Sequence, residues 1–199
     1  MELVFITLPK FFDGETSMVN RLFSIGMQHL HLRKPAATQR ELAQWIENID
    51  EPYRQRIVLH DYHELALEYS LGGIHLNSRN PLPLKQLTTG KGHRLTVSRS
   101  CHSLNEVVKY KGECDYLFLS PIFDSISKEG YGAAFTPDVL RKAFAEGIID
   151  NKVYALGGVS SDHLPEIGSH GFGGAAILGD LWLCDNPENK LRLYISSKF

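Results

Sequence analysis

The chain has 199 residues, 43% of them apolar and 22% charged, with a net charge of −2. This suits one folded domain over 1–199 with a full core, and it excludes a disordered chain. The near-neutral charge argues against a nucleic-acid or membrane partner, so any anion site must be local.

In chain order, residues 3–8 read as a first strand and 28–33 as a second. Thr38, with Glu41 three positions on, opens a helix over 38–49 whose Leu42, Trp45, Ile46 and Ile49 form an apolar stripe. Strands at 56–60 and 73–76 follow, with a short helix over 63–70 between them. A fifth strand is expected at 94–98, a helix over 103–111 capped by Ser103, and a sixth strand at 115–119. Thr136-Pro137 opens a helix over 136–146, with proline at its first position. A seventh strand at 152–156, a helix from Ser161 to 168 and an eighth strand at 173–178 complete the series. Beyond Asn186, Leu191, Leu193 and Ile195 mark a final packing helix or a partner surface. Alternating β and α units predict a parallel sheet under helices, and eight of them favour a closed (β/α)8 TIM barrel. A doubly wound sheet is the alternative, but its Gly-x-Gly-x-x-Gly turn is missing.

Three well-separated cysteines (Cys101, Cys114, Cys184) read as reduced thiols in a cytoplasmic protein. The first residues lack a basic leader, and no apolar run approaches the roughly 20 residues of a membrane span.

Residues two apart on a strand share a face. Leu30, Leu32, Ile57, Leu59, Ile74, Leu76, Leu95 and Val97 should lie beneath the helices. His31, Arg33, His60, His75 and Ser98 should then point inward, the last members near the C-terminal rim. A single histidine there is most simply a satisfied polar plug, and His29 and His75 are read that way. Arg33 is different: its guanidinium stays charged and needs an anion if buried.

Three loops offer more chemistry. After strand six, Ser125, Ser127 and Lys128 precede Gly130-Tyr131-Gly132, which suits a loop closing over a phosphate or, equally, a solvated loop. Gly157-Gly158 follow strand seven, and Leu178-Gly179 follow strand eight, where such barrels often hold phosphate. Asp180 would repel that phosphate unless it turns away. After strand three, Asp61 suits either a Mg2+ ligand or a helix cap.

The segment Ser120-Pro121-Ile122-Phe123-Asp124-Ser125-Ile126-Ser127-Lys128, with Leu32-Arg33, His60-Asp61, Gly73-Ile74-His75-Leu76, Val97-Ser98 and Ala155-Leu156-Gly157-Gly158-Val159, resembles the thiamine phosphate synthase/TenI superfamily from residue 3 to about 182. The resemblance implies a TIM barrel, usually dimeric or higher. It also implies condensation of hydroxymethylpyrimidine diphosphate with hydroxyethylthiazole phosphate, assisted by Mg2+. On it, Arg33, Lys128 and Asp61-bound Mg2+ would stabilise the departing pyrophosphate, and Ser98 would contact the diphosphate or the pyrimidine. Ser125, Ser127, Gly157, Gly158, Leu178 and Gly179 would hold the thiazole phosphate.

Departures gather on the pyrimidine side. His31 stands for the family's glutamine and Pro35 for its lysine; Lys34 could substitute, but parity puts it on the other face unless the chain turns at Pro35. His60 stands for an asparagine, and Asn80 for a second Mg2+ carboxylate. The alternatives are a TenI-type thiazole tautomerase using His31 or His102, and a binding or regulatory protein. Outside the family, a sugar-phosphate isomerase could hold a transition metal on His31, His60 and His75.

Overall fold

The computed structural model describes residues 1–124 and 132–196. Eight parallel strands close in sequence order: β1 (Glu2–Ile6), β2 (Leu30–Leu32), β3 (Ile57–Leu59), β4 (Gly73–Leu76), β5 (Thr96–Cys101), β6 (Tyr116–Leu119), β7 (Val153–Leu156) and β8 (Gly174–Ile177). β8 returns to pair with β1, so the sheet has no edge.

The helices are α1 (Glu15–Ile25), α2 (Gln39–Glu47), α3 (Glu64–Glu68), α4 (Leu104–Tyr110), α5 (Pro137–Ala145), α6 (Leu164–Ser169), α7 (Gly179–Trp182) and α8 (Pro187–Ser196). Their starts follow the expected chemistry at α2, α4 and α5, where Thr38, Ser103 and Thr136 accept from the third backbone N–H beyond them. α1 was not foreseen. Its N-cap is Gly14, without a side-chain cap, and its stripe of Val19, Leu22 and Phe23 is short.

The period-two reading holds around the barrel. Leu30, Leu32, Ile57, Leu59, Ile74, Leu95 and Val97 pack in the outer core with the helix stripes. A second, interior cluster joins Val4, Ile6, Phe118, Tyr154 and Ala176. The barrel interior is thus a packed core, and in this architecture ligands bind at the C-terminal rim.

One strand runs on. β5 was expected to stop at 98 but continues to Cys101. Its last residues are polar on both faces, so no apolar alternation marks them. Arg99 points to the helix side, where its guanidinium stacks 4.1 Å from the Tyr110 ring and its head still reaches the rim. No described helix is long and apolar enough to cross a membrane.

Candidate active site at the barrel mouth

The C-terminal ends of the strands surround a cavity of ≈ 700 Å3. Its polar lining includes Arg33, Arg79, Arg99, His60, His102 and Ser120, with one carboxylate, Glu106. Ile6, Leu8, Phe118, Leu156 and Leu178 give an apolar wall broad enough for a flat ring.

Arg33 leaves the end of β2 with its backbone clamped to β1. Its N–H donates to Thr7 Oγ1 (3.0 Å), and the Thr7 hydroxyl donates to its carbonyl (3.2 Å). The side chain is half-buried, and among the described residues no carboxylate forms an ion pair with it. Burial, then the nearby Arg79 charge, work against its cationic form, with Asp61 opposing them. Two guanidiniums facing one cavity favour an anionic ligand there.

Below the mouth lies a polar relay in place of a wholly apolar plug. His31 Nδ1 meets His60 Nε2 at 2.9 Å, and His31 Nε2 meets the Tyr116 hydroxyl at 2.6 Å. His75 pairs with Ser98 Oγ and Ser100 Oγ, both at 2.8 Å. The His60 and His75 rings stack 4.1 Å apart. Burial holds all three imidazoles well below the usual histidine range, His75 down to about 3, so they are neutral. Their donor atoms gather within 4.8 Å, and neutral imidazoles suit a transition metal. However, His31 already spends its ring nitrogens on His60 and Tyr116 and His75 on Ser98 and Ser100, which makes the cluster a hydrogen-bonded plug.

Several expected site residues stand elsewhere. Lys34 is not at the mouth. It takes the other face from Arg33, as parity expects, and the ammonium is buried against Glu15 Oε1 (2.6 Å) and the Leu8 and Lys10 carbonyls. Trp45 Nε1 donates to the other Glu15 oxygen at 3.0 Å. Ser98 is fully buried beneath the rim, because β5 is longer than expected; Ser100 occupies the rim position instead. His31 is likewise one layer down. His29 faces the opposite end of the barrel.

Asp61 is not the helix cap, since α3 starts after His63 without a side-chain cap. Its carboxylate opens on a neighbouring cleft beside the mouth. Arg79 grips it side-on, Nε to Oδ1 at 3.0 Å and Nη2 to Oδ2 at 3.1 Å. Asn80 Nδ2 also donates to Oδ1 (2.9 Å) and to the His60 carbonyl (3.2 Å). Asn77 Oδ1 accepts from the Arg79 and Asn80 backbone N–H groups, shaping the loop that presents both. Arg79 lines both the cleft and the mouth.

The Mg2+ expected on Asp61 does not fit this donor set. Mg2+ requires near-octahedral oxygen ligands. Here Asp61 accepts N–H groups on both oxygens and Asn80 turns its amide hydrogens toward it, while Glu64, the other carboxylate of the cleft, opens α3. In this structure Asp61 anchors an arginine.

Ser125, Ser127 and Lys128 lie outside the described residues. The loop that leads to them is pinned: Ile122 and Phe123 N–H groups donate to the Leu156 and Gly157 carbonyls, each at 3.0 Å. Gly157 and Gly158 have positive φ (96° and 65°), and a Cβ on Gly158 would sit 2.3 Å from the Asp124 carbonyl oxygen. Their glycine requirement comes from this loop-to-loop contact. Leu178 lines the mouth, and Gly179 opens the short α7. Asp180 does turn away, held by Lys190 (2.8 Å) and the Tyr194 hydroxyl (2.5 Å).

Sequence reasoning overlooked Arg79 and Arg99 as site residues, along with Ser100, Tyr110 and Ser120. It named His102 only as an alternative base, and His102 Nδ1 lies 3.2 Å from Ser120 Oγ at the rim. The one usable signal was parity: two residues beyond Ser98 comes Ser100.

Comparison with known proteins decides the family. The model for thiamine monophosphate synthase matches residues 3–181. The chain belongs to the thiamine monophosphate synthase family. It is thereby placed with transferases of thiamine biosynthesis. It is similar over the whole of both chains to the crystal structure of thiamine phosphate pyrophosphorylase from Bacteroides thetaiotaomicron, with 39% identity and a TM-score of 0.83. A thiamine-phosphate synthase of Parasynechococcus marenigrum is 31% identical over 71% of this chain, which spans 40% of that longer relative. The thiamine phosphate pyrophosphorylase of Pyrococcus furiosus, at 20% identity, shares the fold with a TM-score of 0.76 over 96% of this chain and 92% of its own.

Proposed function

We propose that the mouth condenses a hydroxymethylpyrimidine diphosphate with a hydroxyethylthiazole phosphate, giving thiamine phosphate and pyrophosphate. The observation that carries this reading is the presence of Arg33, in no ion pair among the described residues, and an apolar wall in one cavity. The C–O bond from the pyrimidine methylene to the diphosphate breaks, and its electron pair leaves with pyrophosphate. The thiazole nitrogen lone pair forms the new C–N bond, leaving a thiazolium; no proton has to move. The protein then has two tasks, stabilising the departing anion and holding the ring nitrogen in line with the methylene. Arg33, Arg79 and Arg99 serve the first. The wall of Ile6, Phe118, Leu156 and Leu178 serves the second by shielding the cationic methylene from water.

Ser125, Ser127 and Lys128 are assigned to the phosphate groups on their sequence pattern alone. A cytoplasmic homo-oligomer accords with three free cysteines and with exposed Val108, Leu193 and Ile195. The test is to incubate both substrates with the protein, with and without Mg2+, and to follow thiamine phosphate by chromatography. Formation of product supports the reading; its absence at high enzyme concentration overturns it.

One observation favours a second reading. His102 and Ser120 together present a proton-transferring pair at the rim, as a thiazole tautomerase would need. Isomerisation of a thiazole carboxylate phosphate without any pyrimidine substrate would establish it.

A further inference from the structure

We propose that the Arg79 guanidinium, seated on Asp61, takes the place of a divalent cation at the diphosphate subsite, so that pyrophosphate binds without metal. The inference rests on the mouth being a diphosphate site and goes further, assigning how this chain neutralises that ligand.

Charge and geometry carry the argument. A dication held by two carboxylates sums to zero, and so does one guanidinium held by one carboxylate. The chain has the second arrangement: Asp61 carries the only carboxylate of the pair, and Asn80 beside it is neutral. The side-on grip on Asp61 uses one N–H of Nε and one of Nη2. A guanidinium has five N–H groups in a fixed plane, so three remain for a ligand. Arg79 lines the mouth whereas Asp61 lines only the adjoining cleft, so the cation faces the ligand space and its anchor sits behind it.

The anchor is itself built. Asn80 ties Asp61 to the His60 carbonyl at the end of β3, and Asn77 reaches the same carbonyl at 3.0 Å. Arg33 adds a second cation from β2 and, among the described residues, forms no ion pair, although the Glu106 carboxylate lines the same cavity. Arginine matches phosphate oxygens in paired hydrogen bonds and cannot lose its charge. The subsite therefore keeps a fixed positive field where a metal site would load and unload.

The experiment is calorimetric titration of the full chain with pyrophosphate, once in EDTA and once in Mg2+. The expected dissociation constants agree within about threefold, since no metal takes part. Arg79→Ala should weaken binding in EDTA by about 10- to 100-fold, the loss of a charged hydrogen-bond donor. Arg79→Gln is the second variant, which keeps the volume and removes the charge, and melting curves verify that both fold. Arg79→Ala combined with Asn80→Asp should bind pyrophosphate only when Mg2+ is present. Pyrophosphate binding by the unaltered chain that needs Mg2+, or that survives both Arg79 variants unchanged, overturns the inference while leaving the diphosphate site intact. No binding in either buffer overturns the diphosphate site itself, and this inference with it.

Discussion

Two ion pairs, one behind the barrel wall and one beside the mouth, have opposite characters. Lys34–Glu15 is sealed, its side chains 1% and 2% exposed, with every nearby polar atom engaged. Arg79–Asp61 is open, at 43% and 13%, and keeps N–H groups in reserve. Burial pushes Glu15 up and Lys34 down, so only mutual attraction and the Trp45 and carbonyl contacts keep them charged. A sealed pair is a structural bolt between α1, α2 and the β2 loop; an open pair is a ligand surface. Adjacent basic residues in one sequence, Arg33 and Lys34, thus divide between the ligand and the fold.

The sharpest test of that contrast is stability. Lys34→Ala or Glu15→Ala should cost about 3–5 kcal/mol, because each leaves a buried partner uncompensated. Urea unfolding midpoints would show it, and a cost below about 1 kcal/mol would erase the distinction from a surface pair. Arg33→Ala should leave stability nearly unchanged and lower kcat by about 100-fold or more, as for loss of one preorganised charge-stabilising donor. Unaltered kcat would move the anion site elsewhere.

On the β6–β7 side, Gly158→Ala adds a Cβ at positive φ against backbone that cannot retreat. A loss of about 2 kcal/mol or more is expected, with thiazole-phosphate affinity falling too. A silent variant would mean that the two loops move independently.

The histidine plug gives a pH signature. His31, His60 and His75 have folded pKa values lowered below the unfolded value near 6.5. The unfolded chain therefore binds protons that the native chain refuses. Their contribution is complete above about pH 6.5 and declines by about 1.4 kcal/mol per pH unit for each imidazole as pH falls below it. Denaturation curves between pH 7 and 5 measure the slope, and a flat profile would remove the neutral plug. The smallest effect is expected at the open pair, where Arg79→Ala should change stability by less than about 1 kcal/mol.

Much of this architecture was readable before any coordinates. The eight strands, the α2, α4 and α5 caps and the inward parity of Arg33, His60 and His75 are local or period-two properties, and short stretches of chain carry them. The path of β5 was not readable: Arg99 and Ser100 are polar on both faces, so alternation gives out two residues before the strand does. α1 was hidden by an uncapped start and an inward-turned Glu15. The fate of Lys34 depended on Glu15 and Trp45, which lie 19 and 11 positions away.

By itself the chain determined the barrel, its family and the guanidinium at its rim. Repeating units and a strict side-chain period express themselves without long-range information. Tertiary structure alone decided which charges are sealed and which are offered. The pairing of β3 with β4 and the seating of their loops bring Arg79 onto Asp61, and the free energy of an ion pair depends on the neighbours and water that surround it there.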